Sequence, residues 1–304
     1  MNLILKEPSR LVKIITKVAW SKKRVLDDKL RIHKAKKSKL VLGIDKHTIR
    51  SPKIIVSLTS YSKRFDALYL CCKSLLSQTL KPDKVIVYLT EKDQANLTSE
   101  LLALKNYGLE IRTAEEDLLP HKKYYYAMQE FPDDIVITVD DDVVYDKHLV
   151  EYLIKTYHKF PNCITAARAR VIVKKDHKFA SYDQWKITEV HLLNISEKPS
   201  MMLLATGVGG VLYPPHLLNK KILFNKEYIK KFITVDDLWL KAVEILSDIP
   251  VVLCDEIIDW RRADIVLTEE GQLGLSVINV GQGRNTEYWE MLDDEFKLAD
   301  KVVE

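Results

Sequence analysis

The sequence predicts an α/β protein with a mostly parallel central sheet flanked by helices. Its 304 residues are enough for one large α/β domain or two ordinary domains. A hydrophobic share of 47% and a charged share of 30% are ordinary for globular proteins, which excludes a disordered or fibrous class. From residue 53 onward, short β-branched runs alternate with stretches of helical periodicity. This pattern is typical of βαβ units whose strands are buried on both faces.

Up to residue 160, each predicted strand is followed by a predicted helix. The strands are 54–58, 85–89, 109–113 and 135–139, and the helices are 66–78, 94–106, 122–130 and 148–160. Beyond them lie strand-like pieces at 163–167 and 171–173, a turn-rich stretch at 207–215 and a helix at 236–246. Ligands of open parallel sheets bind beyond the carboxyl ends of the strands, which points to residues 59–64, 90–91 and 140–142.

The first fifty residues differ from the rest of the chain in charge. Residues 1–50 hold 15 lysines and arginines against four acidic residues, a net charge of +11, whereas residues 51–304 carry −7. Residues 9–25 have the apolar spacing of a basic amphipathic helix, and residues 29–39 are expected to be a solvated connector. We expect this arm to bind an anionic membrane surface. Packing of the same helix on its own domain is the open alternative.

Two features predict a cytoplasmic protein. The four cysteines, Cys71, Cys72, Cys163 and Cys254, lack zinc-ligand spacing and are expected to be reduced core residues. The amino terminus shows no signal peptide, and no apolar run approaches the ~18 residues of a membrane span. With its basic arm, the protein is therefore expected in the cytoplasm, peripherally attached to the inner face of the cell membrane.

Three consecutive carboxylates, Asp140, Asp141 and Asp142, follow the apolar run 135–139. They would repel one another unless a cation or hydrogen-bond donors lie between them. Carboxylate oxygens suit Mg²⁺ or Mn²⁺, and a site with few protein ligands leaves positions for the phosphates of a substrate. A solvated acidic turn is the alternative, which the burial expected for the preceding run disfavours.

Several stretches, taken in order, resemble a known enzyme family. Residues 54–64 (IIVSLTSYSKR) and 74–87 (SLLSQTLKPDKVIV) resemble the opening of family 2 glycosyltransferases. That opening is a strand, a Thr-Tyr-x-x-Arg-like turn and a helix that ends in Ser-x-x-x-Gln-Thr. The triplet 140–142 then corresponds to the metal-binding DxD motif of the GT-A fold. Residues 207–215 and 234–239 (TVDDLW) resemble the later acceptor and catalytic-base regions of bacterial polysaccharide glycosyltransferases.

The resemblance implies a nucleotide pocket at the ends of the first strands. Thr59, Tyr61 and Arg64 would line it, and Glu91, after the second strand, would lie near the base or ribose. Glu91 departs from the family pattern, which has an acidic residue directly at the strand end and a small-residue turn after it. Lys123 would pair with a phosphate, and a solvated helix start is the alternative for this lysine.

The resemblance gives the acidic residues the remaining roles. Asp140 and Asp141 would contact the nucleotide, and Asp142 and Asp140 would hold Mn²⁺ or Mg²⁺. The reaction also needs a base for the acceptor hydroxyl, and a carboxylate with a raised pKa suits that task. Asp237 is the first candidate and Asp236 the second. Whichever of them is not the base would cap the helix that begins there.

A segment near the carboxyl terminus, residues 280–289 (VGQGRNTEYW), concentrates two glycines, an arginine and aromatic residues. One interpretation is a lid over the diphosphate, in which Arg284 binds a phosphate oxygen. The other is a surface turn, and the residues alone favour neither.

The implied organisation is a basic arm (1–50) followed by a GT-A domain (51–304), whose halves bind the nucleotide sugar (51–145) and the acceptor (146–304). The implied reaction moves a hexosyl or N-acetylhexosaminyl group from a UDP-sugar to a saccharide or lipid-linked saccharide, with inversion. The resemblance places this reaction in the synthesis of bacterial surface polysaccharides.

Two other classes of protein fit part of the sequence. A metal-dependent phosphohydrolase or nucleotidyltransferase would also gather carboxylates at strand ends around Mg²⁺. It would need a second cluster of metal ligands or a phosphate-binding lysine loop, and no Walker-type loop is seen in the sequence. A nucleic-acid-binding protein would use the basic arm, but the arm lacks interleaved aromatic residues and the body is acidic. We therefore expect no nucleic-acid partner.

Overall fold

The computed structural model describes residues 30, 32–175, 177–187, 195–255, 265–266 and 283–302. The chain forms two compact units, Met1–Lys39 and Leu40–Glu304. In the first unit, residues 32–37 are helical where we expected a solvated connector, because lysine and alanine, which dominate this stretch, are strong helix formers. The predicted amphipathic helix 9–25 lies outside the described residues.

The second unit begins earlier than the boundary that the charge pattern predicts. The Gly43 N–H donates to the Tyr107 carbonyl at 2.8 Å, and Arg50 Nε donates to Asp83 Oδ2 at 2.7 Å. Residues 40–50 therefore fold as part of the larger unit, because a change in charge along a chain does not mark a change in packing.

A seven-stranded sheet lies at the centre of the larger unit. The strands of this unit are β1 (Ile54–Thr59), β2 (Lys84–Leu89), β3 (Leu109–Thr113), β4 (Ile135–Thr138), β5 (Val143–Val144), β6 (Ile164–Ala166), β7 (Ala169–Val171), β8 (Lys174–Lys175), β9 (Lys178–Phe179), β10 (Lys186–Ile187), β11 (Leu203–Ala205), β12 (Val211–Tyr213), β13 (Val251–Leu253) and β14 (Ile265–Val266). The spatial order of the large sheet is β13-β6-β12-β4-β1-β2-β3. Among its described strands, β12 alone is antiparallel to its neighbours. A smaller antiparallel sheet has the order β10-β7-β11.

Helices cover both faces of the large sheet. They are α1 (Phe65–Leu75), α2 (Glu91–Gln94), α3 (Ser99–Ala103), α4 (Lys122–Glu130), α5 (Leu149–Lys159), α6 (Lys220–Leu223), α7 (Lys226–Lys231), α8 (Asp236–Leu246), α9 (Arg284–Phe296) and α10 (Leu298–Lys301). One apolar core contains α1 and α5, and another contains α4, α8 and α9. The predicted α/β fold with a mostly parallel sheet is confirmed. Among the helices that the structure describes, none combines the length and the apolar character of a membrane span.

Three predicted elements differ from the structure. The strand expected at 171–173 is β7, which lies two residues earlier, at Ala169–Val171. The stretch 207–215, expected to be turns, contains the central strand β12. Glycines and prolines, which are typical of turns, flank its three residues on both sides, so the sequence gives no strand signal there. The predicted helix 94–106 is divided into α2, α3 and a 3₁₀ turn at Leu104–Tyr107. The Thr98 side chain caps α3 by accepting a backbone N–H, which starts a new helix at that point.

Candidate active site

The carboxyl edge of the large sheet brings three loops together. β1 and β4 are parallel neighbours, so the loops that follow them, 60–64 and 139–142, emerge side by side. β12 runs antiparallel to β4, with Val211 opposite Thr138. The turn before β12, at Gly207–Gly209, therefore lies at the same edge, next to the acidic triplet.

Asp141 is the most deeply buried acid of the triplet. Its carboxylate accepts hydrogen bonds from Ser60 Oγ at 2.5 Å and from Arg64 Nη1 at 2.6 Å. Burial raises the pKa of Asp141 to about 7, against the opposing charge of Arg64. Asp141 thus joins the loop after β1 to the loop after β4. Its 5% exposure favours a supporting role over direct contact with a nucleotide.

Asp140 and Asp142 are the more accessible acids of the triplet. Asp142 Oδ2 accepts a hydrogen bond from Arg64 Nη2 at 2.5 Å, and burial together with the charge of Asp140 raises the pKa of Asp142. The Asp140 N–H donates to the hydroxyl of Tyr145 at 2.9 Å, which fixes the turn. With 31% and 21% of their side chains exposed, Asp140 and Asp142 keep oxygen atoms accessible to a ligand.

A buried lysine joins the triplet to a second pair of acids. Lys123 Nζ lies 2.7 Å from Asp140 Oδ1 and 2.8 Å from Asp236 Oδ2. Burial alone would lower the pKa of Lys123, but the surrounding carboxylates, Asp140 foremost, raise it well above its ordinary value. Lys123 therefore remains an ammonium group and bridges the end of β4 and the start of α8. It is not the solvated helix start that was the alternative for this residue.

The two acids at the start of α8 have different environments. Burial favours the neutral form of Asp236, but Lys123 outweighs this effect and lowers the pKa of Asp236 below its ordinary value. Asp237 is more exposed, and its Oδ1 accepts the Gly207 N–H at 3.1 Å. Burial and the charge of Asp236 raise the pKa of Asp237 well above its ordinary value. Asp237 thus has the access and the proton affinity of a base, whereas Asp236 is occupied by its ion pair.

Gly207 lies where the triplet and the acid pair meet. A Cβ at this position would lie 2.8 Å from Asp140 Oδ1, 2.8 Å from Lys123 Nζ and 3.3 Å from Asp237 Oδ1. All three distances are shorter than an ordinary van der Waals contact. A side chain at this position would push Asp140 or Lys123 from its place, so glycine lets the backbone approach the charged groups closely.

The residues expected to line the nucleotide pocket lie at the end of β1. Thr59 Oγ1 donates to the Tyr88 carbonyl at 2.8 Å, and Tyr61 is exposed. Arg64 Cζ lies 5.9 Å from the ring centre of Tyr61. The ring and the guanidinium group therefore form one surface beside the triplet.

The acid after β2 that contacts this loop is Asp93, which we did not predict. Glu91, the predicted residue, is exposed as the first residue of α2. Asp93 is buried, and it accepts the Ser62 N–H at 2.9 Å and the Thr90 hydroxyl at 2.7 Å. The Thr90 hydroxyl in turn accepts the Asp93 N–H. The Thr-x-x-Asp spacing at the start of α2 resembles a capping box and is the signal in the sequence that could have identified Asp93.

The described part of the carboxyl-terminal segment is helical, where a lid or a surface turn was expected. α9 begins at Arg284, after Gly283 in the left-handed conformation, and Arg284 is exposed. The next residue, Asn285, is buried, and the hydroxyl of Thr286 accepts the Tyr182 N–H at 3.1 Å. The structure therefore turns Asn285 inward and leaves Arg284 at the surface. Residues 280–282 lie outside the described residues.

The accessible carboxylates of the triplet fit a divalent cation. Within the part of the chain that the structure describes, no cluster of three His, Cys, Asp or Glu side chains could hold a metal by itself. Asp140 and Asp142 would supply two protein ligands, which leaves positions for diphosphate oxygens and water, as Mg²⁺ and Mn²⁺ sites commonly do. The charges of Asp140 and Asp142 repel each other, and a cation between them would neutralise that repulsion.

The mostly parallel sheet, with one antiparallel strand and an acidic triplet at its carboxyl edge, is the arrangement of the GT-A fold. A similar fold occurs in the mannosyltransferase PcManGT from Pyrobaculum calidifontis, solved in complex with GDP-Man and Mn²⁺. The TM-score is 0.50 at 10% sequence identity, and the match covers 93% of this chain and 79% of that chain. No curated protein matches the sequence.

The family model for glycosyl transferase family 2 matches residues 56–224, more than half of the chain. The protein therefore belongs to glycosyl transferase family 2. This membership sets aside the interpretations of residues 56–224 as a phosphohydrolase or a nucleotidyltransferase.

Proposed function

We propose that the protein transfers a hexosyl or N-acetylhexosaminyl group from a UDP-sugar to a saccharide or lipid-linked saccharide, with inversion, during bacterial surface polysaccharide synthesis. The observation that carries this proposal is the position of Asp237, close to the triplet but not part of it. Lys123 joins the two sets of acids. A donor bound at the triplet and an acceptor bound at Asp237 would therefore be held at a fixed distance and orientation to each other.

The donor side of the proposal rests on the triplet. A divalent metal held by Asp142 and Asp140 would bind the diphosphate and stabilise the charge that develops on it. Arg64 orients Asp142 through its hydrogen bond, and Thr59 and Tyr61 would bind the nucleoside. The Mn²⁺ in the mannosyltransferase of similar fold supports this choice of cofactor.

Asp237 would act as the general base. The acceptor oxygen attacks the anomeric carbon, while the bond from this carbon to the diphosphate breaks and its electron pair leaves with the nucleoside diphosphate. The acceptor proton passes to Asp237, whose pKa is raised by burial and by the charge of Asp236, so that this carboxylate binds a proton more readily than an exposed aspartate does. Attack on the face opposite the leaving group inverts the anomeric centre. Asp236 would be a positioning residue, because it acts through Lys123.

A panel of donors tests the reaction. The full chain is incubated with Mn²⁺ and UDP-glucose, UDP-galactose, UDP-N-acetylglucosamine, UDP-N-acetylgalactosamine or GDP-mannose, and the released nucleotide is measured with and without EDTA. We expect release from a UDP-sugar that EDTA abolishes. Release from GDP-mannose alone would overturn the choice of UDP, and equal release with EDTA would overturn the metal site.

Two variants separate the donor and acceptor roles. Asp237→Asn should lower turnover by about 10² to 10⁴-fold and leave metal-dependent UDP binding unchanged, because a base acts only on the acceptor hydroxyl. Asp142→Asn should weaken metal-dependent UDP binding, because the amide removes a negative ligand from a hard cation. If Asp237→Asn keeps near-normal turnover and Asp236→Asn loses it, the base is Asp236.

We also propose that residues 1–39 attach the enzyme to anionic membrane and so bring it to a lipid-linked acceptor. The support is the net charge of +11 in residues 1–50 and the apolar spacing of residues 9–25. Each basic residue near an anionic surface contributes about 1 kcal/mol, so several of them and an apolar face would give reversible attachment.

Co-sedimentation with anionic and neutral liposomes, at low and high salt, tests the attachment. The full chain should sediment with anionic liposomes at low salt, and a chain without residues 1–39 should not. Equal sedimentation of the two proteins would contradict the proposal and favour packing of the arm on its own domain.

A further inference from the structure

We propose that His121 is a positioning residue for the proposed base, because its ring holds the turn from which α8 and Asp237 begin. The inference rests on the proposed function and deepens it by naming what sets the place of the base. His121 belongs to neither the triplet nor the acid pair. Its side chain is fully buried, so it would touch neither the donor nor the acceptor and acts through other residues.

His121 lies at the entry to α4, two residues before Lys123. It is the last residue of a 3₁₀ turn, Leu119–His121, and α4 begins at the next residue. Buried polar side chains in folded proteins are hydrogen-bonded in the large majority of cases. The imidazole of His121 satisfies this rule with both of its nitrogens, and its partners lie on two different elements.

The two ring nitrogens of His121 have distinct hydrogen-bonding roles. Nε2 lies 3.0 Å from the Phe232 carbonyl oxygen, and Nδ1 lies 2.9 Å from the Tyr124 hydroxyl. A carbonyl oxygen can only accept, so Nε2 carries the proton and donates it, and Nδ1 accepts from Tyr124. Burial lowers the pKa of His121 to about 4, so the ring is neutral at pH 7 and keeps this one arrangement.

The Phe232 carbonyl anchors the turn that leads into α8. It also accepts the Val235 N–H at 3.1 Å, and Val235 directly precedes α8. Valine has no side-chain oxygen with which to cap a helix, so the backbone of residues 232–235 sets the position of the first turn. Asp236 and Asp237 are the first two residues of that turn. A shift of the Phe232 carbonyl would therefore move both acids.

The segment that carries His121 is also attached to the donor side of the site. Ser57 Oγ, in β1, donates to the Lys123 carbonyl at 2.5 Å. The Lys123 side chain contacts Asp140 of the triplet at 2.7 Å. The entry to α4 is thus fixed to β1 and to the triplet, and the ring of His121 fixes the entry to α8 relative to it.

This geometry matters because a general base must lie within hydrogen-bond reach of the proton that it accepts. The Gly207 N–H holds one carboxylate oxygen of Asp237 at 3.1 Å, which orients the group. The backbone of Asp237 is placed by the turn before α8, which His121 holds. A displacement of about 1 Å at a reacting group can cost about 10²-fold in rate, so loss of the ring contacts should reduce turnover.

Two substitutions of His121 test the hydrogen bond to the Phe232 carbonyl. H121F keeps a buried ring and removes both hydrogen bonds, whereas the amide N–H group of H121Q can replace the bond from Nε2. We expect H121F to lower UDP release from the active UDP-sugar of the donor panel by about 10- to 100-fold. H121Q should recover most of this loss. Metal-dependent UDP binding should be unchanged in both variants, because the triplet keeps its own contacts.

A double-mutant cycle with D237N separates positioning of the base from a general loss of structure. If His121 acts through Asp237, H121F should lower turnover by less than about threefold in the D237N background, against about 10- to 100-fold in the wild type. Single-turnover assays measure the slow variants. The shift in urea midpoint caused by H121F should be similar in both backgrounds, since a purely structural effect does not depend on the base.

Y126F is the matched control on the same helix. The Tyr126 hydroxyl donates to the Glu116 carbonyl at 3.0 Å, so Y126F also removes a hydrogen bond between α4 and a backbone carbonyl. Glu116 belongs to the loop after β3, away from the turn before α8. Y126F should therefore keep wild-type turnover.

Three outcomes would overturn the role of His121. They are wild-type turnover by H121F while D237N is inactive, an equal fold-loss from H121F in both backgrounds, and weaker UDP binding by H121F. If H121F does not fold, Y124F carries the test by removing the donor to Nδ1, and unchanged turnover would then overturn the role. A wild type that releases no nucleotide, or a D237N variant that keeps its turnover, would instead contradict the proposed function.

Discussion

Two of the buried lysines, Lys123 and Lys241, have pKa values that are shifted in opposite directions. Lys123 has 4% of its side chain exposed and contacts Asp140 and Asp236. Lys241, in α8, is fully buried, and its Nζ lies 3.2 Å from Glu244 Oε2. Burial lowers the pKa of Lys241, against the attraction of Glu244. The carboxylates around Lys123 outweigh burial and raise its pKa.

A functional buried charge differs from a merely tolerated one in the number of opposite charges around it. An isolated buried ion pair loses about as much free energy by desolvation as it gains by attraction, so Lys241 and Glu244 contribute little to stability. Lys123 lies among more carboxylates than it can neutralise. Burial and the remaining negative charge raise the pKa of Asp237, which is the kind of perturbation found at active sites. The same negative charge favours a bound cation at the triplet.

Replacing Lys123 should have the largest effect. Lys123→Met leaves the buried carboxylates without a counter-charge, so we expect turnover to fall by at least about 10³-fold and the free energy of unfolding to fall by about 3–5 kcal/mol. Turnover and urea denaturation measure the two effects. Lys241→Met is the control, because it should lose similar stability and keep its activity once folded. Turnover of Lys123→Met within tenfold of wild type would remove the distinction between the two lysines.

Gly207→Ala should have a smaller effect, confined to the site. The added Cβ would displace Lys123 Nζ or Asp140 from its position, and a displacement of about 1 Å can cost about 10²-fold in rate. At Gly283 a Cβ would meet nothing within 4 Å, so Gly283→Ala should lose only about 1 kcal/mol of stability for its left-handed backbone. Steady-state kinetics of the two variants measure the contrast, and equal activity would show that the bridge tolerates displacement.

Much of the donor half could be predicted from the sequence. Its four strands are apolar runs at regular spacing, and β3 and α4 have the predicted bounds. The acids at 140–142 and 236–237 are visible because consecutive carboxylates next to apolar segments need a physical explanation. The start of α8 at Asp236 was also predicted, since acidic residues favour the first turn of a helix.

The contacts between these segments could not be predicted. Lys123 meets Asp140 and Asp236 only because α4 and α8 pack on the same face of the sheet, and nothing in the sequence distinguishes it from a solvated lysine at a helix start. The insertion of β12 beside β4 brings Gly207 to the triplet, and three residues between glycines and prolines give no strand signal. Ser60, which binds Asp141, is one of many serines in loops.

Removing both Lys241 and Glu244 should have a still smaller effect. Leucine and methionine fill a similar volume, so the double variant Lys241→Met, Glu244→Leu should be as stable as the wild type or up to about 4 kcal/mol more stable. Its turnover should be unchanged, because neither residue belongs to the site. Urea denaturation at pH 7 measures the stability, and a loss of more than about 2 kcal/mol would mean that this pair, like Lys123 with its acids, is a stabilising arrangement.

The smallest expected effect is a pH dependence of that stability difference. Burial raises the pKa of Glu244 to about 7, against the attraction of Lys241, from an ordinary value of 4.5. Between these values the folded wild type holds a proton that the unfolded chain releases, so its free energy of unfolding should fall relative to the double variant by roughly 1–3 kcal/mol as pH rises from 5 to 7.

Asp141, whose pKa is also raised to about 7, is present in both proteins and cancels from the difference. The other titratable group near Glu244 is Tyr213 of β12, whose pKa burial raises well above its ordinary value, so it stays neutral throughout this range. A stability difference that does not change between pH 5 and pH 7 would mean that Glu244 is ionised in the folded protein, and that Lys241 holds its partner charged as Lys123 holds Asp236.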